Sequence, residues 1–255
     1  MSTDLPPMPA GVKCGCLPRL SFPGQHLPIL GEFDSPPLVP PTQMRDVDLS
    51  PMDAPVVHQG NQSSCTAASF VTAYRHARAV AGLSTVDLAW STLYGPANAG
   101  RDAGSPLDVV IAQLMRVGVC PQNVGGDPYI DPFDWQGFYN GSWPNHWIDV
   151  AKGYRLLEAW DCPSVDHLLS ALHAGCVCPT GVFWPRGGGH CVSVVGWDNA
   201  ARKAKIQNSW GPSWGENGYG WISEKMLQQG LPYFGSFAVR VPTIAPVDPL
   251  PPMPH

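Results

Sequence analysis

The feature that most constrains this chain is Cys65, which lies at the predicted start of an amphipathic helix. Apolar residues recur at three- and four-residue spacing over 66–81, which predicts that helix. Ser63 and Ser64 are of the residue type that favours an N-cap, so Cys65 falls in the first helical turn. Because the free amides and positive dipole end of that turn favour an anion, we expect a lowered pKa for the thiol. Taken alone, such a cysteine has a second interpretation, that of a small and inert buried residue.

Two downstream segments supply residue types that would activate a thiol. His190 follows the glycine run 187–189 and precedes 191–197, an apolar run that predicts a buried strand. Asn208 opens a segment, 208–220, whose glycine content is incompatible with a helix. Cysteine, histidine and asparagine in this order are the nucleophile, base and orienting group expected of a cysteine hydrolase.

Together these segments resemble the papain family of cysteine peptidases. The resemblance covers roughly residues 47–241 and is most specific in the block Asn208-Ser209-Trp210-Gly211. Gln62 and Thr66 stand where papain has a cysteine and a tryptophan. The usual disulfide beside the site is therefore expected to be absent, and the motif is more similar to a bacterial, xylellain-type branch. The resemblance implies an α+β fold with a helical lobe, a β-rich lobe and an active-site cleft between them.

The resemblance also implies the catalytic roles. Cys65 would attack the substrate carbonyl, His190 would act as general base and acid, and Asn208 would orient the imidazole. Gln59 and the Cys65 backbone N–H would stabilise the oxyanion. The spacing from Cys65 to His190 and Asn208 is close to the roughly 130–150 residues typical of papain-like enzymes. The predicted activity is endopeptidase hydrolysis through a thioester acyl-enzyme, and neither a cofactor nor a metal ion is implied.

Further residues are implied to line the substrate cleft. Gly104 is the candidate for backbone pairing with the substrate, and a helix-entry turn without a ligand role is the alternative. Trp210 would shield the bond between Asn208 and His190 from water. The other candidates flank the nucleophile, the glycine turn or the histidine, and they are Ser64, Ser105, Gly188, Gly189 and Cys191.

Proline content divides the chain into three predicted parts. Residues 1–46 lack a helical pattern and predict either a disordered arm or an extended pro-region that covers the cleft. Residues 47–241 form the predicted catalytic domain, with 47–150 as helical lobe and 151–241 as β-rich lobe. Residues 242–255 form a proline-rich tail.

The N-terminal arm is predicted to limit access to the cleft. A tethered segment has an effective concentration of up to about millimolar, so weak contacts would compete with substrate. Its apolar residues Leu27, Ile29, Leu30 and Phe33 are the ones expected to fill a hydrophobic subsite.

Local patterns predict the remaining helices and strands. One helix is expected near Val86–Leu93. A second is expected to begin after Ser105 as cap, with Pro106 as its first residue, and a third to run from the cap Ser164 to Gly175. Strands are expected at 177–183, 191–197, 203–207 and 235–241.

Charge and hydropathy limit the classes of partner. Charged residues make up 14% of the chain, its net charge is −5, and it has no basic run, which argues against nucleic acid and anionic membranes. No apolar stretch has the length of a membrane span. The first residues lack the features of a classical signal peptide, which predicts a cytoplasmic protein or export by another route. We expect a monomer that acts on a peptide or protein.

The eight cysteines leave an odd number once Cys65 is set aside, so mostly reduced thiols are expected. A zinc site built from Cys14, Cys16, Cys176 and Cys178 is an alternative, although its CxC spacing differs from that of common structural sites.

Two other functions of the protein stay open. The same cysteine and histidine could serve an acyltransferase or amidase, or the fold could carry a catalytically silent binding protein.

Overall fold

The computed structural model describes residues 5–20, 27–32, 34–50, 55–124, 129–139 and 143–241. The predicted tail at 242–255 and Phe33 lie outside these ranges. No helix in the described part of the chain is long and apolar enough to cross a membrane.

The helices belong mainly to the first two thirds of the chain. They are α1 (Cys65–Val80), α2 (Ser91–Ala97), α3 (Leu107–Arg116), α4 (Trp135–Tyr139), α5 (Asn145–Lys152), α6 (Val165–His173) and α7 (Glu224–Phe234), with a 3₁₀ turn at Pro41–Gln43. The strands belong mainly to the second half. They are β1 (Cys16–Leu17), β2 (Val47–Asp48), β3 (Ser105–Pro106), β4 (Glu158–Asp161), β5 (Cys178–Trp184), β6 (Gly188–Asp198), β7 (Lys203–Gln207), β8 (Tyr219–Ser223) and β9 (Phe237–Arg240).

Strand β6 is the centre of a five-stranded antiparallel sheet. It pairs with β2, β5 and β7, and β7 pairs in turn with β8. Strands β4 and β9 form a separate antiparallel pair, and β1 runs parallel to β3. The helices and strands together confirm the expected α+β class.

Two large hydrophobic clusters form the interior. One contains Phe70, Leu93 and Leu114 from the helical part, and the other contains Trp197 and Ile206 from the sheet. Each fully buried side chain of this size contributes roughly 1.5–3 kcal/mol to folding relative to its exposed state. The two parts meet where α1 packs on β6.

Hydrogen bonds fix α1 against β6 at one level. Ser69 of α1 donates its hydroxyl to the Cys191 carbonyl at 3.1 Å, and Ser193 of β6 donates its hydroxyl to the Ser69 carbonyl at 3.2 Å. Since α1 begins at Cys65 and β6 carries His190, this contact sets the position of one residue relative to the other.

Several local predictions hold and others are wrong. The α1 and α6 helices and the four expected strands are present, with ends shifted by a few residues. Val86–Leu93 is not a helix, because Leu88 forms a bridge with Pro121 and α2 begins only at Ser91. The helix expected after Ser105 is present as α3 but begins at Leu107, because Ser105 and Pro106 are extended as β3 and pair with β1. The domain boundaries at 46 and 241 stay predictions.

Candidate active site

Cys65 is the first residue of α1 and is fully buried. Ser64 occupies the N-cap position, but its hydroxyl has no hydrogen-bond partner among the described residues. Other contacts hold the helix start instead: the Ser63 amide donates to Asp102 Oδ1 at 2.7 Å, and the Thr66 hydroxyl donates to the Ser105 carbonyl at 3.1 Å. The start of α1 is therefore tied to the loop that precedes α3.

The imidazole of His190 is buried and held through one nitrogen. Its Nε2 lies 2.8 Å from Asn208 Oδ1, and the same oxygen accepts from the Ser209 amide at 2.8 Å. Asn208 Oδ1 is a carbonyl oxygen and can only accept hydrogen bonds, so the partner nitrogen of His190 must donate. Nε2 therefore carries the proton of the neutral ring. Nδ1 then has a free lone pair, and it has no hydrogen-bond partner in the described part of the chain. The ring is thus arranged as a base at Nδ1.

Two tryptophans enclose the histidine. The Trp210 ring stacks on His190 with centroids 4.6 Å apart and an interplanar angle of 26°. Trp184 contacts the same imidazole edge-to-face at 5.1 Å. Trp210 is 1% exposed, and His190 and Asn208 are buried as well.

Gln59 is held beside the same residues. Its amide N–H donates to the Ser209 carbonyl at 2.8 Å, and its side-chain oxygen accepts from the Ser209 hydroxyl. Its side-chain nitrogen Nε2 donates to the Gln62 carbonyl at 2.6 Å and to the Lys13 carbonyl at 3.1 Å. The Gln59 side chain is therefore held in place, and its Nε2 donates to two carbonyl oxygens of the chain, one of them from Lys13.

Residues 13–17, here called the cleft segment, lie against Cys65. The Gly15 amide donates to Cys65 Sγ at 3.3 Å, and the Gly15 carbonyl accepts from the Ser105 amide at 2.9 Å. A Cβ atom on Gly104 would lie 2.1 Å from the Gly15 carbonyl oxygen, and one on Gly189 would lie 2.1 Å from the Cys16 carbonyl oxygen. These glycines allow the backbones to approach each other closely.

Gly15 itself has no room for a side chain. A Cβ atom at this position would lie 2.0 Å from the Ser63 carbonyl oxygen, and backbone atoms cannot yield as a flexible side chain would. The cleft segment therefore fits between the start of α1 and β3 only with glycine at position 15.

Burial sets the protonation of the covered site. It raises the pKa of the Cys65 thiol to about 12, although the Cys191 and Gly15 backbone groups oppose this rise. Burial lowers the pKa of His190 to about 4, against the raising effect of Asn208. The expectation of a lowered Cys65 pKa is wrong for this state, because desolvation by burial outweighs the hydrogen bonds that favour the thiolate. The covered site holds a neutral thiol and a neutral imidazole.

The predicted cleft residues divide into two groups. Four contact the cleft segment: the turn residues Gly104 and Ser105, and Gly189 and Cys191 on β6. The other three have different surroundings: Trp210 stacks on His190, a Cβ on Gly188 would meet nothing within 4 Å, and the Ser64 hydroxyl is buried without a hydrogen-bond partner among the described residues.

The expected apolar plug is wrong in position. Leu30 is buried in the cluster of the β-rich part, and Ile29 forms a bridge with Asp161 of β4. Leu27 packs on the helical cluster, and Phe33 is among the residues that are not described. Gly15 contacts Cys65 instead.

Sequence reasoning missed Lys13, Gly15, Tyr94 and Asp102. Their roles depend on contacts between residues far apart in sequence, which local patterns do not reveal. For Asp102 one signal existed, its position two residues before the candidate turn glycine Gly104.

The cysteines of the zinc alternative lie in two groups rather than at one place. All eight are free thiols. The Cys16 thiol lies near Cys191 and Cys65, whereas the Cys178 thiol donates to the Cys176 carbonyl at 3.7 Å and lies near Cys162. The described residues contain no group of three or more histidine, cysteine or acidic side chains arranged for a metal ion.

Comparison with known proteins adds a local similarity to one family and a shared fold. Residues 169–231 match the model of the papain family of cysteine proteases. No curated protein matches the chain by sequence. Among solved structures, xylellain, a cysteine protease from Xylella fastidiosa, superposes with a TM-score of 0.69 at 23% identity over 90% of this chain and 97% of that one.

Two proforms also share the architecture. Digestive procathepsin L 3 of Tenebrio molitor larval midgut has a TM-score of 0.64 and 18% identity over 85% of this chain and 75% of that one. The proform of the ragweed pollen protease Amb a 11 has a TM-score of 0.57 and 18% identity, with coverages of 80% and 68%. The chain therefore has the two-lobed α+β fold of papain-like proteases. The stretch that matches the family model, 169–231, includes His190 and Asn208, so this part of the chain is similar to papain-family cysteine proteases.

Proposed function

We propose that the chain is an endopeptidase that hydrolyses peptide bonds through a thioester on Cys65. The observation that carries this proposal is the His190 imidazole, whose Nε2 is held by Asn208 while its Nδ1 lone pair has no partner among the described residues. Cys191, the next residue along β6, interacts with the Cys65 thiol through its backbone. A free imidazole nitrogen at this place is what a thiol nucleophile requires.

The chemical steps follow from these groups. His190 Nδ1 takes the thiol proton, and Cys65 Sγ attacks the carbonyl carbon of the substrate. Gln59 Nε2 and the Cys65 backbone N–H donate to the oxyanion, and loss of one such donor costs about 3 kcal/mol of transition-state stabilisation. The tetrahedral intermediate collapses to a thioester as the leaving amine takes the proton from His190. Water, deprotonated by His190, then attacks the thioester and releases the acid.

We further propose that the cleft segment inhibits the enzyme. The Gly15 N–H donates to the Cys65 sulfur. The carbonyl that accepts from Gln59 Nε2 belongs to Lys13, two residues earlier in the chain. Hydrolysis requires one peptide group to present its carbon to Cys65 and its oxygen to the oxyanion donors. These contacts of the segment instead come from different peptide groups, so it blocks the site without being cut there. The likeness to two proforms supports an N-terminal pro-segment.

Incubation with an unfolded protein in heavy-oxygen water tests the reaction class. We expect internal cleavages whose new carboxyl termini carry the heavy oxygen, because water is the acceptor of the acyl group. The measurement is mass spectrometry of the products, with an added primary amine as competing acceptor. Predominant amide formation with the amine, without new internal termini, would support the acyltransferase or amidase instead. Absence of both products, also from a Gly15→Ala variant in which the cleft segment no longer fits against Cys65, would favour a silent binding protein.

Replacement of Asn208 by alanine is expected to lower kcat without abolishing it. The amide orients His190 and fixes its tautomer but forms no bond to the substrate, so we expect a loss of roughly 10- to 100-fold. The measurement is peptide hydrolysis with purified, folded variant. Unchanged kcat would mean that another group orients the base.

A further inference from the structure

Asp102 is a carboxylate with fixed orientation next to the nucleophile loop. Its Oδ1 accepts from the Ser63 amide at 2.7 Å and from the Tyr94 hydroxyl at 2.8 Å. Its Oδ2 accepts from Lys13 Nζ at 2.8 Å. Partial burial opposes ionisation, but the hydrogen bonds from these three partners hold the pKa of Asp102 below its usual value.

Lys13 connects this carboxylate with the oxyanion position. Its carbonyl oxygen accepts from Gln59 Nε2 at 3.1 Å, while its ammonium group reaches Asp102. Lys13 therefore contacts both the oxyanion donor Gln59 and Asp102. The distance between these two groups is thus one that a lysine side chain can span.

We propose that Asp102 selects substrates with lysine or arginine at the residue whose carbonyl is attacked. This inference rests on the proposed function. A substrate residue that places its carbonyl on Gln59 has its Cα two bonds from that oxygen, whichever way the chain runs. Its side chain therefore starts near the place from which Lys13 reaches Asp102. Oδ1 is already held by Ser63 and Tyr94, so Oδ2 is the oxygen left to receive the cation.

The alternative is a purely structural Asp102 that supports the loop before Cys65 and holds the cleft segment. The two roles use different properties of the side chain. Loop support needs a hydrogen-bond acceptor at Oδ1, whereas selection of a cation needs the negative charge at Oδ2. Asp102→Asn separates them, because an amide oxygen still accepts from Ser63 and Tyr94 but carries no charge.

The experiment uses the full chain and a pair of peptides that differ only at the selected residue, arginine in one and uncharged citrulline in the other. The measured quantity is the ratio of their kcat/KM values. Occupancy of the cleft by the segment lowers both values equally, so it cancels from the ratio. We expect a preference of about tenfold for arginine, within the range of a hydrogen bond to a charged group, and a ratio near one for Asp102→Asn.

Lys13→Met is the matched control. It removes the same ion pair from the side of the cleft segment and leaves Asp102 in place, so the preference for arginine should persist even if overall activity rises. A wild-type ratio near one, or an unchanged ratio in Asp102→Asn, would overturn the inference while leaving the proposed hydrolysis intact. Failure of the full chain to hydrolyse either peptide, together with no reaction of Cys65 with a thiol-directed inhibitor, would overturn the proposed function and this inference with it.

Discussion

Cys65→Ser is expected to lower kcat for peptide hydrolysis by roughly 10⁴-fold or more, as removal of a nucleophile does in related chemistry. A serine hydroxyl is a far weaker acid than a thiol, and the site offers His190 without an acidic partner of its own to raise its basicity. The change replaces one atom at a buried helix start, so the fold should persist. The measurement is kcat on a peptide substrate beside thermal unfolding of the same samples.

Cys120→Ser serves as the control for this prediction. Cys120 is buried in a separate small cluster and donates to the Trp147 carbonyl, a hydrogen bond that a serine hydroxyl can keep. Its kcat should stay near that of the parent. Substantial turnover by Cys65→Ser would show that another group is the nucleophile.

Gly15→Ala is expected to raise kcat/KM on small peptides by about tenfold or more, because a tethered competitor loses its fit. The new methyl group would lie 2.0 Å from the Ser63 carbonyl oxygen, so the cleft segment has to leave its position against Cys65. Substrate then meets an open cleft. Since the substitution leaves Gln59, Cys65, His190 and Asn208 in place, the chemical step should be little changed.

Gly11→Ala is the matched control for the arm. A Cβ at Gly11 meets nothing within 4 Å, and its positive φ of 81° adds only local strain of about 1–2 kcal/mol. Its kinetics should stay near those of the parent. Deletion of residues 1–43 is a poorer test than this pair, since it also removes Leu30 from the core of the β-rich part. Equal kinetics for the Gly15→Ala and parent proteins would contradict autoinhibition.

The sequence predicted the elements that carry the candidate site residues better than it predicted the environment of those residues. The helix at Cys65, the strand that carries His190 and the class of fold follow from local periodicity and from the motif around Asn208. The pKa expectation for Cys65 failed because it considered the helix start without the complete burial of the thiol. Local patterns carry no information about which distant backbone covers a thiol.

The cleft segment shows the same limit. Short extended pieces such as β1 and β3 form because they pair with each other across the chain, not because of their own propensities. The apolar residues at 27–30 were expected to plug the cleft on hydrophobicity alone, yet Leu30 is more effectively buried against the β-rich core. The contact of Gly15 with Cys65 was not predicted, because it depends on the absence of a side chain at position 15, which no sequence pattern marks.

The central claim, that Cys65 is the nucleophile, is tested most directly by reacting the folded Gly15→Ala and full-length parent proteins with an epoxide inhibitor selective for cysteine peptidases. Mass mapping then locates the adduct among the eight cysteines. We predict a single adduct on Cys65 in both proteins, formed faster in Gly15→Ala and absent from Cys65→Ser. An adduct on any other cysteine, with Cys65 unmodified, would contradict the account.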